Sequence, residues 1–166
     1  MKPSLVIFAS GNGTNAENII KYFQATKTAK VVCVLSNKKD AKVLARADAL
    51  DVPAESFTRA QLEDSDSFGA KLKDLNPDLI ILAGFLLKIP DYLVESYPDK
   101  IVNIHPALLP NYGGKGMYGM NVHRAVVANK ESYSGITIHF VNEHYDEGGI
   151  IFQAKTRLAN TDTAED

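Results

Sequence analysis

The chain has 166 residues, 45% of them hydrophobic and 23% charged, enough apolar side chain for a buried core without disulfides or metal. Lys plus Arg number 18 and Asp plus Glu 20, a net charge of -2 that removes the electrostatic case for a nucleic-acid or membrane-surface binder. Cys33 is the only cysteine, which excludes a disulfide framework or a cysteine-built zinc site within the chain. No signal peptide is evident after Met1-Lys2-Pro3-Ser4, and no apolar run is long enough to span a bilayer. The expectation is a soluble cytoplasmic protein.

In chain order, Ser4 to Ser10 is an uninterrupted apolar run, the pattern of a strand buried on both faces. A glycine turn follows, and Ala16, Ile19, Ile20 and Phe23 then form a helical stripe. Val31 to Leu35 predicts a second buried strand, with a helix around Val43, Leu44, Ala47 and Leu50. A weak third strand is expected near Ala54 to Phe57, and a helix over Phe68, Leu72 and Leu75 must stop before Pro77. Asp78 to Gly84 is the strongest strand, and a short helix is expected to begin at Pro90. Ile101 to His105 predicts a further strand, closed by Pro106. The stretch to Met120 is irregular and carries Gly113, Gly114, Gly116 and Gly119, which predicts the least ordered interior segment and a lid. A helix through Val122, Ala125 and Val126 precedes strands over Gly135 to Val141 and Ile150 to Leu158. This alternation predicts an α/β, Rossmann-like, mostly parallel sheet with helices on both faces, in a single domain over residues 1–166. Thr163-Ala164-Glu165-Asp166 has the spacing of a helix start, so a C-terminal helix is expected to be truncated.

Three motifs carry chemistry. Gly11-Asn12-Gly13-Thr14-Asn15-Ala16 joins a buried strand to a helix, so backbone N–H groups at that helix start can hold an anion. The same residues fit the dinucleotide fingerprint, but Ser36-Asn37-Lys38-Lys39 stands where a ribose-binding acid belongs. A phosphate monoester, a dinucleotide and a purely structural turn all remain open. Asn103 and His105 are two apart on a strand, about 7 Å along one face and at its C-terminal end. An amide there can donate to a developing oxyanion, and an imidazole can move a proton. Against this stands a half-buried His satisfied by a carbonyl. Asp146, in a loop, becomes relevant if the fold brings it to His105, where a carboxylate favours imidazolium. His139 and His144, five apart, would face opposite sides of an extended segment and make a poor metal pair. No metal site is expected.

Together, G-N-G-T-N after the first strand, L-A-G-F at Leu82 to Phe85, N-I-H-P-A-L-L-P at Asn103 to Pro110 and D-E-G-G-I-I at Asp146 to Ile151 resemble the folate-dependent formyltransferases. Within them the first turn suits the branch that formylates phosphoribosylglycinamide in purine synthesis. The resemblance covers essentially the whole chain. It implies a Rossmann-like domain that moves a formyl group from 10-formyltetrahydrofolate, as co-substrate, to a glycinamide amine. It implies Asn103, His105 and Asp146 as the catalytic trio, and Gly13, Thr14 and Asn15 as the substrate-phosphate site. Leu86, Leu87, Lys88 and Ile89, with Asn103 and the loop Asn142, Glu143, His144, Tyr145 and Asp146, would hold the folate. Partners would be small molecules alone, with no nucleic acid or membrane, and the protein a monomer or homodimer. Leu87 and Ser65 stand where many members carry arginine. A formyltetrahydrofolate hydrolase, a formyltransferase for another amine and a dinucleotide-dependent oxidoreductase are the competing readings.

Overall fold

The unbroken apolar segments become the strands of a parallel sheet. In the computed structural model, which describes residues 1–166, the chain divides into two units, Met1–Ile101 and Val102–Asp166. The first contains β1 (Ser4–Phe8), α1 (Thr14–Thr26), β2 (Lys30–Ser36), α2 (Lys42–Asp48) and β3 (Ala54–Ser56). It continues through α3 (Arg59–Glu63), α4 (Ser65–Leu75), β4 (Leu79–Leu82) and α5 (Asp91–Ser96). Its strands lie in the order β3-β2-β1-β4, all parallel. Val6, Ile7 and Phe8 of the central β1 are fully buried, each worth about 1.5–3 kcal/mol relative to exposure. Phe8 meets Phe68 of α4 and Phe85 edge-on, at centroid distances of 6.1 and 5.3 Å. The helices form two groups, α1 with α2 and α4 with α3 and α5.

Two local details differ from the sequence expectation. α3 was not predicted, because its five residues bury only Leu62 and show no period. Its signal lay in Thr58-x-x-Gln61, a capping box in which the Thr58 side chain accepts from Gln61 N–H and the Gln61 side chain from Thr58 N–H. Pro90 is the cap before α5 rather than its first residue, with extended backbone (ψ 146°). α4 ends as expected, with Asn76 left-handed (φ 45°) ahead of Pro77.

The second unit holds β5 (Ile101–His105) from Val102 onward, α6 (Met120–Ala128), β6 (Tyr133–Phe140) and β7 (Ile150–Arg157). These strands lie in the order β5-β6-β7 and are antiparallel. Residues 141–149, which join β6 to β7, hold no helix, and a parallel pair needs a crossover of a dozen or more residues. Val122 and Val126 of α6 bury against Ala107. Residues 163–166 form a turn. Thr163 N–H donates to the Asp166 carboxylate at 2.7 Å, one half of a capping box. No helix is long and apolar enough to cross a membrane.

Candidate active site

β5 turns Asn103 and His105 to one face, as their parity requires. Antiparallel pairing sets His139 directly across from Asn103 and Thr137 across from His105. His139, which no sequence motif marks, therefore enters the site. Its ring is 2% exposed and lies 3.1 Å from the Asn103 amide nitrogen through Nε2. Its Nδ1 lies 2.8 Å from the Phe140 carbonyl, which can only accept, so the neutral ring carries its proton on Nδ1. Nε2 is then an acceptor for one Asn103 N–H. The second N–H of that amide has no protein partner.

His105 is 3% exposed, and both ring nitrogens face acceptors. Nε2 donates to the Tyr112 carbonyl at 2.7 Å, and Nδ1 stands 3.5 Å from the Asp146 carboxylate. The same Asp146 oxygen is 3.6 Å from His139 Nε2, while its other oxygen accepts the Gly114 N–H at 2.9 Å. Burial pushes the Asp146 carboxyl up, but the Gly114 N–H that donates to it and the field of the His105 ring beside it outweigh this. The group is held below the usual carboxylate range.

Asp146 reaches His105 by a route other than the one expected. A parallel sheet would gather both at one edge of strand ends, but β6 is antiparallel and its C-terminal end lies beside the start of β5. The loop instead folds back over the sheet. Gly148 permits this, since a Cβ there would sit 1.6 Å from the Phe140 carbonyl oxygen, and Phe140 N–H donates to the Gly149 carbonyl at 2.9 Å. The start of the irregular stretch after β5 is tied to β6 and β7. Thr137 Oγ1 donates to the Ala107 carbonyl (2.7 Å) and accepts the Leu109 N–H (3.0 Å), and Gln153 donates to the Leu109 carbonyl (2.9 Å).

In the first unit, Gly13 caps α1 with φ 78° and no side-chain cap. A Cβ at Gly13 would lie 2.4 Å from Val43, so only glycine fits on both counts. The N–H groups of Gly13, Thr14 and Asn15 have no protein acceptor, as a helix N-terminus that binds an anion requires. A cavity of about 630 Å³ adjoins this turn, lined by Ser10, Gly11, Asn12 and the loop Lys38 to Lys42. Three lysines and one aspartate in that loop favour an anion over a ribose hydroxyl.

The expected folate-contact residues are more mixed. Leu86 is 41% exposed and its N–H is taken by Ser10 Oγ at 2.9 Å. Ile89 is 3% exposed, so its side chain belongs to the core and only its backbone could serve a ligand. Lys88 pairs with Asp91 at 3.3 Å. Asn142 Oδ1 accepts the His144 N–H at 2.9 Å, and Glu143, His144 and Tyr145 are exposed. His144, open to solvent, and buried His139 differ too much in setting to act as one pair.

The model of the formyl transferase family matches residues 4–166. The chain is 38% identical over 167 residues to phosphoribosylglycinamide formyltransferase of Haemophilus influenzae, covering 98% of this chain and 76% of that protein. It is 40% identical over 171 residues to the chloroplastic enzyme of that name from Arabidopsis thaliana, covering 99% of this chain. It spans 59% of the length of that relative and 54% of the chloroplastic one from Vigna unguiculata. Among solved structures, phosphoribosylglycinamide formyltransferase from Brucella melitensis superposes with a TM-score of 0.88 at 35% identity, covering 99% of this chain and 85% of that one.

Proposed function

Because the chain belongs to the formyl transferase family, we propose that it transfers a formyl group from 10-formyltetrahydrofolate to the amine of phosphoribosylglycinamide, in de novo purine (IMP) biosynthesis. The observation that carries this reading is the buried cluster of Asn103, His105 and Asp146 within one unit. The co-substrate supplies the formyl carbon. The residues supply charge placement and proton handling. Asn103, oriented by His139 through one N–H, has the other free for the negative charge that develops on the formyl oxygen. His105 as imidazolium adds positive charge on the same face, and its Nε2 proton becomes available to the leaving nitrogen once the Tyr112 carbonyl gives way. Asp146 stays ionised at neutral pH and keeps that imidazolium in place.

The Gly13, Thr14 and Asn15 N–H groups hold the substrate phosphate in this reading. Leu86, Leu87, Lys88 and Ile89, and Asn103 with Asn142, Glu143, His144, Tyr145 and Asp146, would hold the folate in the same reading. Its partners are these two small molecules, with no nucleic acid and no metal. It acts as a monomer or homodimer in the cytoplasm, with residues 1–166 as the transferase domain. The test is steady-state release of tetrahydrofolate with and without phosphoribosylglycinamide, alongside a titration with NADH. Release that depends on the amine, with no NADH binding, supports the proposal. Amine-independent release, or saturable NADH binding without transfer, overturns it.

A further inference from the structure

The catalytic cluster leaves Arg46 without a role, yet this α2 side chain is bound to the glycine turn and to the first turn of the helix that follows it. Its Nε donates to the Asn12 carbonyl at 2.8 Å and its Nη2 to the Asn12 side-chain oxygen at 3.1 Å. Its Nη1 pairs with the Glu17 carboxylate in the first turn of α1. Alongside it, Val43 N–H donates to the Gly11 carbonyl at 3.2 Å, and Glu17 N–H to the Gly13 carbonyl at 2.9 Å. Three successive carbonyls of the turn are thus each held by a donor from α1 or α2.

A trans peptide is planar, with its C=O and N–H pointing in opposite directions. Fixing the carbonyls of Gly11, Asn12 and Gly13 therefore fixes the N–H groups of Asn12, Gly13 and Thr14, pointing away from those donors. The middle plane has the weakest intrinsic restraint, because Gly13 rotates more freely than any other residue. Only Arg46 holds its carbonyl. We propose that Arg46 is a positioning residue for substrate binding: it locks the Asn12–Gly13 peptide so that the turn presents its N–H groups to the acceptor's phosphate. It touches no reacting atom. This inference rests on the phosphate reading of the turn given above.

Charge is a separable contribution. Arg46 neutralises Glu17, which would otherwise face an incoming anion from the first turn of the helix. Lysine keeps that charge but lacks the planar fork needed to bridge the two Asn12 oxygens. The experiment is steady-state kinetics of the full chain, wild type against Arg46→Gln and Arg46→Lys, with inorganic phosphate as a competitive inhibitor. The expected result for Arg46→Gln is a ~10-fold rise in KM for phosphoribosylglycinamide and in the phosphate inhibition constant. KM for the formyl donor and kcat should stay within about twofold. Arg46→Lys should keep most of the defect, and it carries the same test should the glutamine variant not fold. An unchanged acceptor KM, full recovery in Arg46→Lys, or equal rises for both substrates would overturn the positioning role. A wild-type protein that transfers formyl yet is not inhibited by phosphate would instead remove the phosphate reading, and this inference with it.

Discussion

Replacing Asp146 by asparagine keeps the shape of the side chain and removes its charge, so it isolates what the carboxylate does for His105. The carboxylate oxygen lies 3.5 Å from His105 Nδ1, in a side chain only 12% exposed. At an effective dielectric of about 20, opposite charges at that separation attract by roughly 5 kcal/mol. Spreading the positive charge over the ring and the residual water contact reduce this to about 3–4 kcal/mol. If the stabilisation acts in the transition state, its loss lowers kcat by about 10²–10³-fold. The variant also has one oxygen to divide between the Gly114 N–H and the imidazole, where the carboxylate has two. The assay is kcat and both KM values at neutral pH, with circular dichroism confirming the fold. The expected pattern is a fall in kcat with each KM changed by less than about threefold. A kcat within threefold of wild type, or a defect confined to KM, would refute the assignment.

The same carboxylate predicts a pH dependence of stability. Its folded pKa is depressed, so its contribution is fully present above the unfolded value of about 3.9 and is lost as pH falls through the folded value. Urea denaturation from pH 2 to 7 should show the stability difference between wild type and Asp146→Asn shrinking only on the acid side, and a constant difference would contradict this. Gly13→Ala puts a methyl 2.4 Å from Val43 at a positive φ, and should cost about 1–3 kcal/mol by denaturation while raising the acceptor KM. Gly148→Ala should displace the Asp146 loop and lower kcat at least ~10-fold. Gly149→Ala, whose nearest contact is 3.8 Å away, should be near wild type, and equal effects at the two glycines would count against the folded-back loop.

The elements legible in the sequence were those whose physics is local. The all-apolar runs of β1, β2 and β4 and the 3.6-residue stripe of α1 need no knowledge of neighbours to be read. Asn103 and His105 share a face by parity alone, and that expectation holds. What escaped depends on pairing. His139 looked like an isolated histidine because its partner, Asn103, is 36 residues away and meets it only through antiparallel register. The connection from β5 to β6 contains α6 and is long enough for a parallel crossover, so nothing local announces the antiparallel pairing. The Tyr112 carbonyl and Gly114 N–H are backbone groups, which side-chain motifs do not reveal. Arg46 likewise acts on a turn 34 residues earlier, through helix packing that no spacing rule encodes.

Carbon-13 labelling of the formyl group follows the transferred atom itself. The wild-type chain would be mixed with 10-[13C]formyltetrahydrofolate and phosphoribosylglycinamide and observed by NMR. The account predicts that the label appears as a formamide carbon on the acceptor, in step with tetrahydrofolate release. Label appearing as free formate at the same rate with or without the amine would contradict it.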